Sequence, residues 1–221
     1  YACKRWKDAA DMKYFALIAY FVNYRLNIVF NIKKLKTGSF ITKLLLTPVL
    51  LLIYLTGSKE LQIPVILALV FCFLGDLLLS FPKYFIPGLS AFLVGHVFYA
   101  VKFLSDIQIN IPWWIFLFAT IYIAYGIILN SRLSITDIKK RIAVYVYTSV
   151  ILIASFLSLL RFNSVSVYSF WIVFIGTLLF ILSDSILAYN LFKKRSSYGS
   201  VWLMAAYGAA QLLIVLGILI G

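Results

Sequence analysis

Two aspartates lie inside long apolar stretches, where a carboxylate is costly. Asp76 lies in VFCFLGDLLLSF, residues 70–81, and Asp184 lies in FILSDSILAYN, residues 180–190. The other acidic residues fall near the ends of apolar stretches or in loops. A charged aspartate at the centre of a bilayer costs about 2.5–3.5 kcal/mol on insertion scales, so such residues normally face a cavity or a partner. We therefore expect Asp76 and Asp184 to form one chemical site.

Further polar side chains are predicted at the depth of these two aspartates. Asp76 precedes Lys83 by seven residues and Asp184 precedes Lys193 by nine, which places both carboxyl groups about 10–13 Å below one basic face of a helical protein. Residues that can support the site or bind substrate there are His96, Tyr99, Ser183, Ser185, Asn190, Tyr207, Gln211 and Lys43. The polar residues among them can also serve only to bridge helices, which is their commonest role in membrane proteins.

The elements that must position these residues are membrane-spanning helices. Of the 221 residues, 64% are apolar and only 12% are charged, whereas soluble domains carry about 25% charged residues. Unpaired backbone is excluded from lipid and no strand alternation persists, so the fold class is all-α, a polytopic bundle in one transmembrane domain over residues 1–221. We predict eight spans, of which the second is short: 13–31, 41–56, 61–81, 86–105, 111–130, 140–160, 166–191 and 199–220.

The net charge of +13 does not indicate a nucleic-acid partner, because the basic residues lie in short loops. One side of the predicted bundle holds more of them: Lys33, Lys34, Lys36, Lys83, Arg132, Lys139, Lys140, Arg141, Lys193, Lys194 and Arg195. The other side holds Lys4, Arg5, Lys7, Lys13, Lys59 and Arg161. The positive-inside rule makes the first side cytoplasmic. We expect an integral protein of a bacterial inner membrane with its site in the cytoplasmic half, and we expect Arg25 and Lys102 to snorkel from span ends.

Several kinds of chemistry are disfavoured by the residues present. The single histidine, His96, and two distant cysteines do not make a metal site, so neither a metal nor a cofactor is predicted. A serine hydrolase would need His96 and an exposed nucleophile turn, for which there is no signal. The remaining classes are a hydrolase with two aspartates, a transporter or proton-coupled carrier, and an intramembrane aspartyl protease. The protease motifs are poorly matched, since Phe73 occupies a position where those enzymes carry glycine.

Four motifs occur in order along the chain: LGDLLLS at 74–80, GLSAFLVGHVFY at 88–99, LSDSILAYNLF at 182–192 and YGAAQLLI at 207–214. In this order they resemble the YhhN family of membrane proteins, the lysoplasmalogenase family. A Lys-Pro pair that opens span two in that family is only partly matched, because Leu44 follows Lys43 and the proline is delayed to Pro48. The resemblance implies hydrolysis of the vinyl ether bond of a lysophospholipid, the lysoplasmalogen, to a fatty aldehyde and a glycerophospho-alcohol. It also implies that Asp76 and Asp184 carry the chemistry.

Two carboxyl groups suit this reaction. A vinyl ether is hydrolysed by protonation at carbon, which gives an oxocarbenium-like cation that water then attacks. One carboxylic acid and one carboxylate can divide this work, as they do in glycoside hydrolysis. Apolar neighbours favour Asp76 as the acid, and the hydroxyl groups of Ser183 and Ser185 would favour a charged Asp184. Lys43 is expected either to snorkel or to bind the phosphate group.

Overall fold

The computed structural model describes residues 2–108, 111–193, 196 and 198–221, and for residues 2–11 it describes the backbone alone. This part of the chain forms α-helices joined by short turns and contains no strand, which confirms the predicted all-α membrane bundle. The helices are α1 (Ala2–Ile32), α2 (Lys36–Gly57), α3 (Ile63–Leu79), α4 (Phe85–Ser105), α5 (Phe118–Arg132), α6 (Ile138–Leu160), α7 (Val167–Phe192) and α8 (Gly199–Ile220). Seven helical segments are long and apolar enough to cross a membrane, and α3 is shorter than these. One of the seven, Trp113–Arg132, consists of α5 and the 3₁₀-helix before it.

The second span is not short, so that prediction is wrong. Helix α2 has 22 residues because it already begins at Lys36 and continues through Pro48. Helix α3 has 17 residues, about 26 Å of rise. It ends before Phe81, whose φ of −116° and ψ of 117° are the extended values that a following proline imposes. Asp76 therefore lies in the last turn of α3, close to one end of the bundle.

Seven of the eight helices close into a ring. Helix α3 packs between α2 and α4, α4 packs against α6, and α7 packs between α6 and α8, while α8 and α2 both contact α1. Small residues allow the closest approaches: a Cβ at Gly176 of α7 would lie 3.0 Å from the backbone nitrogen of Ile214 in α8. The eighth helix, α5, packs against α6 and has no buried residue. The ring thus faces α3 and α7 towards a shared interior, with α5 at its edge.

A buried ionic cluster lies at the ends of α4 and α6. Lys102 and Arg161 both pair with Asp106, at 2.5 Å from Nζ to Oδ1 and 3.0 Å from Nε to Oδ2. The expectation that Lys102 snorkels is wrong, because Asp106 lies one turn away and holds its ammonium group inside the bundle. Arg161 is 1% exposed, and its guanidinium lies 5.4 Å from the ring centroid of Phe103. Burial lowers the pKa of Arg161, against the opposing effect of Asp106.

Some of the loop residues used for the orientation prediction fall outside this description. Lys194 and Arg195 lie outside the described residues, as do the side chains of Lys4, Arg5 and Lys7. The orientation of the bundle and the side that faces the cytoplasm therefore stay predictions.

Candidate functional site

Asp76 lies at the centre of a polar cluster in the interior. It is 1% exposed, and it is reached by two residues of α2 and one of α8. The Nζ of Lys43 lies 3.3 Å from Oδ1, and the hydroxyl groups of Thr47 and Tyr207 donate hydrogen bonds to Oδ2 at 3.2 and 2.5 Å. A cation and two hydroxyl donors all stabilise the charged form of this carboxyl group.

The cluster extends along α8 and back to α4. The amide of Gln211 donates to the phenol oxygen of Tyr207 at 3.5 Å, one helical turn away. The hydroxyl of Tyr99 donates to Oε1 of Gln211 at 2.9 Å. The structure therefore connects Tyr99, Gln211, Tyr207 and Asp76 in one chain of hydrogen bonds, as their common depth suggested.

Asp184 has different surroundings. Its Oδ2 accepts a hydrogen bond of 2.7 Å from the hydroxyl of Tyr147 in α6. Asp184 and Tyr147 line an apolar cavity whose remaining walls come mainly from α6 and α7, with smaller parts from α4 and α5, among them Phe85, Leu89 and Leu152. In the described part of the chain, no lysine or arginine pairs with Asp184. A carboxyl group with one donor and apolar walls is suited to remain a neutral acid.

The two serines beside Asp184 do not hydrogen-bond to it, so the reason for expecting a charged Asp184 is absent. Ser183 donates to the backbone oxygen of Leu203 at 3.3 Å. Ser185 donates to the backbone oxygen of Ile181 at 2.7 Å. Serine in a helix often bonds to the carbonyl one turn earlier, as Ser185 does, so neighbours in sequence need not be donors to the aspartate. The partners observed favour Asp184 as the acid and Asp76 as the carboxylate, the reverse of the sequence-based expectation.

Aromatic rings lie between the two carboxyl groups. The ring centroid of Phe180 lies 4.3 Å from that of His96 and 5.6 Å from that of Tyr207. The ring centroids of His96 and Tyr147 are 6.1 Å apart. Within the described residues, no side chain hydrogen-bonds to both aspartates. Asp76 and Asp184 thus lie on two sides of one aromatic cluster, and each has its own hydroxyl donor from a tyrosine.

His96 fixes one side of this cluster. Its Nδ1 is 2.8 Å from the backbone oxygen of Phe92. The ring lines a small internal cavity together with the hydroxyl-bearing residues Ser155 and Thr177. The buried Nε2 has no hydrogen-bond partner among the described residues. Neither aspartate lines this small cavity, so Nε2 of His96 is a polar atom of the bundle interior beside the aromatic cluster.

Asn190 lies apart from these residues. Its Oδ1 accepts the backbone N–H of Ser196 at 3.2 Å. A Cβ at Gly199 would collide with the Asn190 side chain, so the asparagine packs against the start of α8. The structure places Asn190 in the last turn of α7, where it bonds to the connection to α8 and, among the described residues, has no hydrogen bond to the cluster of Asp76.

Sequence reasoning missed Thr47 and Tyr147. Thr47 follows Lys43 by four residues and so shares its helical face, a signal that was present. Tyr147 is nine residues into α6, about 13 Å deep, which is the depth assigned to His96. In the part of the chain that the structure describes, no three side chains of His, Cys, Asp or Glu lie close enough to hold a metal ion.

Comparisons with known proteins agree with the resemblance drawn from the motifs. The model of the YhhN family matches residues 38–218. Human lysoplasmalogenase TMEM86B is 31% identical over 153 residues, which cover 69% of this chain and 62% of the human protein. The chain therefore matches less than two thirds of that relative's length. No solved structure matches the chain.

Proposed function

The chain belongs to the YhhN family, and we propose that it is a membrane-embedded hydrolase that cleaves the vinyl ether bond of lysoplasmalogens. The products are a fatty aldehyde and a glycerophospho-alcohol. The observation that carries this proposal is the position of Asp184, a carboxyl group on the wall of an apolar cavity inside the bundle. The name of the human relative, lysoplasmalogenase, supports the choice of substrate.

Asp184 acts as the general acid and then as the general base. Its proton passes to the vinyl ether carbon that is not bonded to oxygen, and the other carbon becomes an oxocarbenium-like cation. Water attacks that cation, and the Asp184 carboxylate takes the proton that water loses. The hemiacetal then collapses to the aldehyde, and the leaving glyceryl oxygen regains a proton. One water molecule is consumed and the carboxyl group is restored. Tyr147 holds the carboxyl group in place through its hydroxyl.

Asp76 supplies fixed negative charge to the same interior. The ammonium of Lys43 and the hydroxyl groups of Thr47 and Tyr207 hold this carboxylate charged and immobile. A preorganised charge of this kind stabilises a developing cation without rearranging during the reaction. Phe180 and His96 lie between the two carboxyl groups and form the aromatic side of the reaction space. Asp76 and Asp184 thus have different tasks, set by their partners.

We assign the headgroup of the lipid substrate to the basic end of the bundle. Two residues of the Asp184 cavity, Phe85 and Phe192, lie within two residues of Lys83 and Lys193 in sequence. Both lysines are exposed and suit a lipid phosphate. Lys43 is engaged by Asp76, so it is a supporting residue of the carboxylate and not the phosphate ligand.

The test is release of aldehyde by the purified protein in liposomes that contain lysoplasmalogen. The matched control lipid has a saturated alkyl ether at the same position, which cannot be protonated to an oxocarbenium ion. We expect aldehyde from the vinyl ether lipid and none from the control. A carrier would move protons or solute across the liposome membrane without aldehyde release, and an intramembrane aspartyl protease would cleave a helical peptide and leave both lipids intact. Either result would overturn the proposal.

A further inference from the structure

A second apolar groove continues from the cavity that contains Asp184. The two share Tyr125, Leu152 and Ile181, so they adjoin each other between α5, α6 and α7. Beyond these shared residues the lining is apolar apart from one tyrosine hydroxyl, and it consists of Phe118, Ile121, Tyr122, Leu159, Phe174, Leu178 and Leu182. The polar atoms of the combined space are concentrated at the Asp184 end.

The groove leads away from the basic face. Leu178 precedes Asp184 by six residues on α7 and Phe174 precedes it by ten, which correspond to about 9 and 15 Å of helix. Lys193 lies in the opposite direction along the same helix. An amphiphile with its phosphate near Lys193 and its reacting bond at Asp184 would therefore direct its remaining hydrocarbon along this groove.

We propose that the groove between α5, α6 and α7 binds the single hydrocarbon chain of the substrate, and that Leu178 and Phe174 set the preferred chain length. This inference rests on the proposed function, because the vinyl ether bond is at the head end of the chain that the groove would hold. The occupant is a single alkenyl chain, because the acid lies in the cavity that adjoins the groove and the lining past that cavity is hydrocarbon.

Helix α5 is the wall through which the chain enters. It contributes Phe118, Ile121, Tyr122 and Tyr125 to the groove, yet its main packing on the ring of helices is against α6. Its hydrogen bond to α7 joins the hydroxyl groups of Tyr125 and Ser185 at 2.7 Å, next to Asp184. A helix with so few buried contacts can shift at low cost, which opens the groove to lipid from the bilayer.

The experiment compares the hydrolysis of a short-chain and a long-chain lysoplasmalogen by Leu178→Trp. The larger side chain fills the groove about 9 Å past Asp184. We expect kcat/KM for the long chain to fall at least about tenfold, as misfit groups in apolar pockets commonly do, while the short chain stays within about twofold. The matched control is Ile175→Trp on the same helix, which is 45% exposed and does not line the groove. It should leave both rates unchanged.

A second variant, Phe174→Ala, extends the groove and should raise the rate for the longest chain relative to the shortest. The inference is overturned if Leu178→Trp hydrolyses the short-chain and the long-chain lipid at the rates of the unmodified protein, or if it lowers both rates equally. A bilayer phospholipid that fills the groove structurally would produce one of these two results. Failure of the proposed function has a different signature, since the unmodified protein would then release aldehyde from neither chain.

Discussion

The ammonium of Lys43 on α2 lies 3.3 Å from Oδ1 of Asp76 on α3, and its Nζ also reaches the backbone oxygen of Asp76 at 3.3 Å. This ion pair joins two neighbouring helices at the level of the proposed reaction. The Asp76 side chain is 2% exposed and that of Lys43 is 20% exposed, so the carboxylate depends on the lysine while the lysine keeps some access to its surroundings.

The first prediction concerns the energy of this pair. Lys43→Met should destabilise the protein strongly, because it leaves a buried carboxylate without its cation, a change that costs about 3–5 kcal/mol in buried pairs. Asp76→Asn in the same chain should recover part of that loss. Unfolding in denaturant of the two single variants and the double variant measures the coupling. The matched control is Lys36→Met on the same helix, which is exposed and should have little effect. Additive losses in the double variant would contradict the pairing.

The second prediction concerns the hydroxyl of Tyr207. Tyr207→Phe removes the 2.5 Å hydrogen bond to Asp76. Because bonds to charged groups contribute about 1.5–3 kcal/mol, aldehyde release should fall by roughly 10- to 150-fold. Tyr20→Phe is the control, since Tyr20 is equally buried but donates to the backbone oxygen of Gly208. Equal rates in the two variants would show that the bond to Asp76 has no special role.

The third prediction tests the partner of Asp184. Tyr147→Phe keeps the ring that contacts His96 and removes only the hydroxyl that donates to Asp184. We expect kcat to fall by about tenfold, because the acid is no longer held towards the vinyl ether, a positioning effect of the kind that costs 10²-fold for a 1 Å displacement. Tyr145→Phe, an exposed residue two positions earlier, should be neutral. An unchanged kcat in Tyr147→Phe would exclude Tyr147 from positioning the acid.

The fourth prediction separates stability from activity. Asp106→Asn removes the anion that two buried cations, Lys102 and Arg161, share, and it should lower the free energy of unfolding by about 3–5 kcal/mol. The cluster lies far in sequence from both aspartates of the site and, among the residues that the structure describes, has no hydrogen bond to either of them. The folded protein should therefore keep its specific activity. Asp137→Asn is the control, because Asp137 caps the start of α6 through an exposed side chain and asparagine caps equally well. A loss of specific activity in Asp106→Asn without a loss of stability would contradict this separation.

The helices and the polar layer could be predicted from sequence because they depend on composition and helical rise. Depth along a span is a local quantity, and it correctly grouped Tyr99, Tyr207 and Gln211 with Asp76. The length of α2 was mistaken because the polar segment at 36–40 reads as a loop, although its backbone is helical.

The partners of each carboxyl group could not be predicted, since they depend on which helices are neighbours and on how each is rotated. Lys43 was expected at the surface, and only the packing of α2 against α3 brings it to Asp76. The serines beside Asp184 donate to backbone carbonyls, and the donor to Asp184 is instead Tyr147 of α6. The proposed roles of the two aspartates followed from these partners and not from their neighbours in sequence.

The central claim is that Asp184 and Asp76 together hydrolyse the vinyl ether, and the rate of aldehyde release by Asp184→Asn and Asp76→Asn tests it most directly. Both variants keep the size of the side chain and remove its acid and charge. With folded protein in liposomes that contain lysoplasmalogen, the rate of each variant should fall by a factor on the order of 10²–10⁴, the usual contribution of a general acid or base. Aldehyde release by Asp184→Asn at the rate of the unmodified protein would contradict the account.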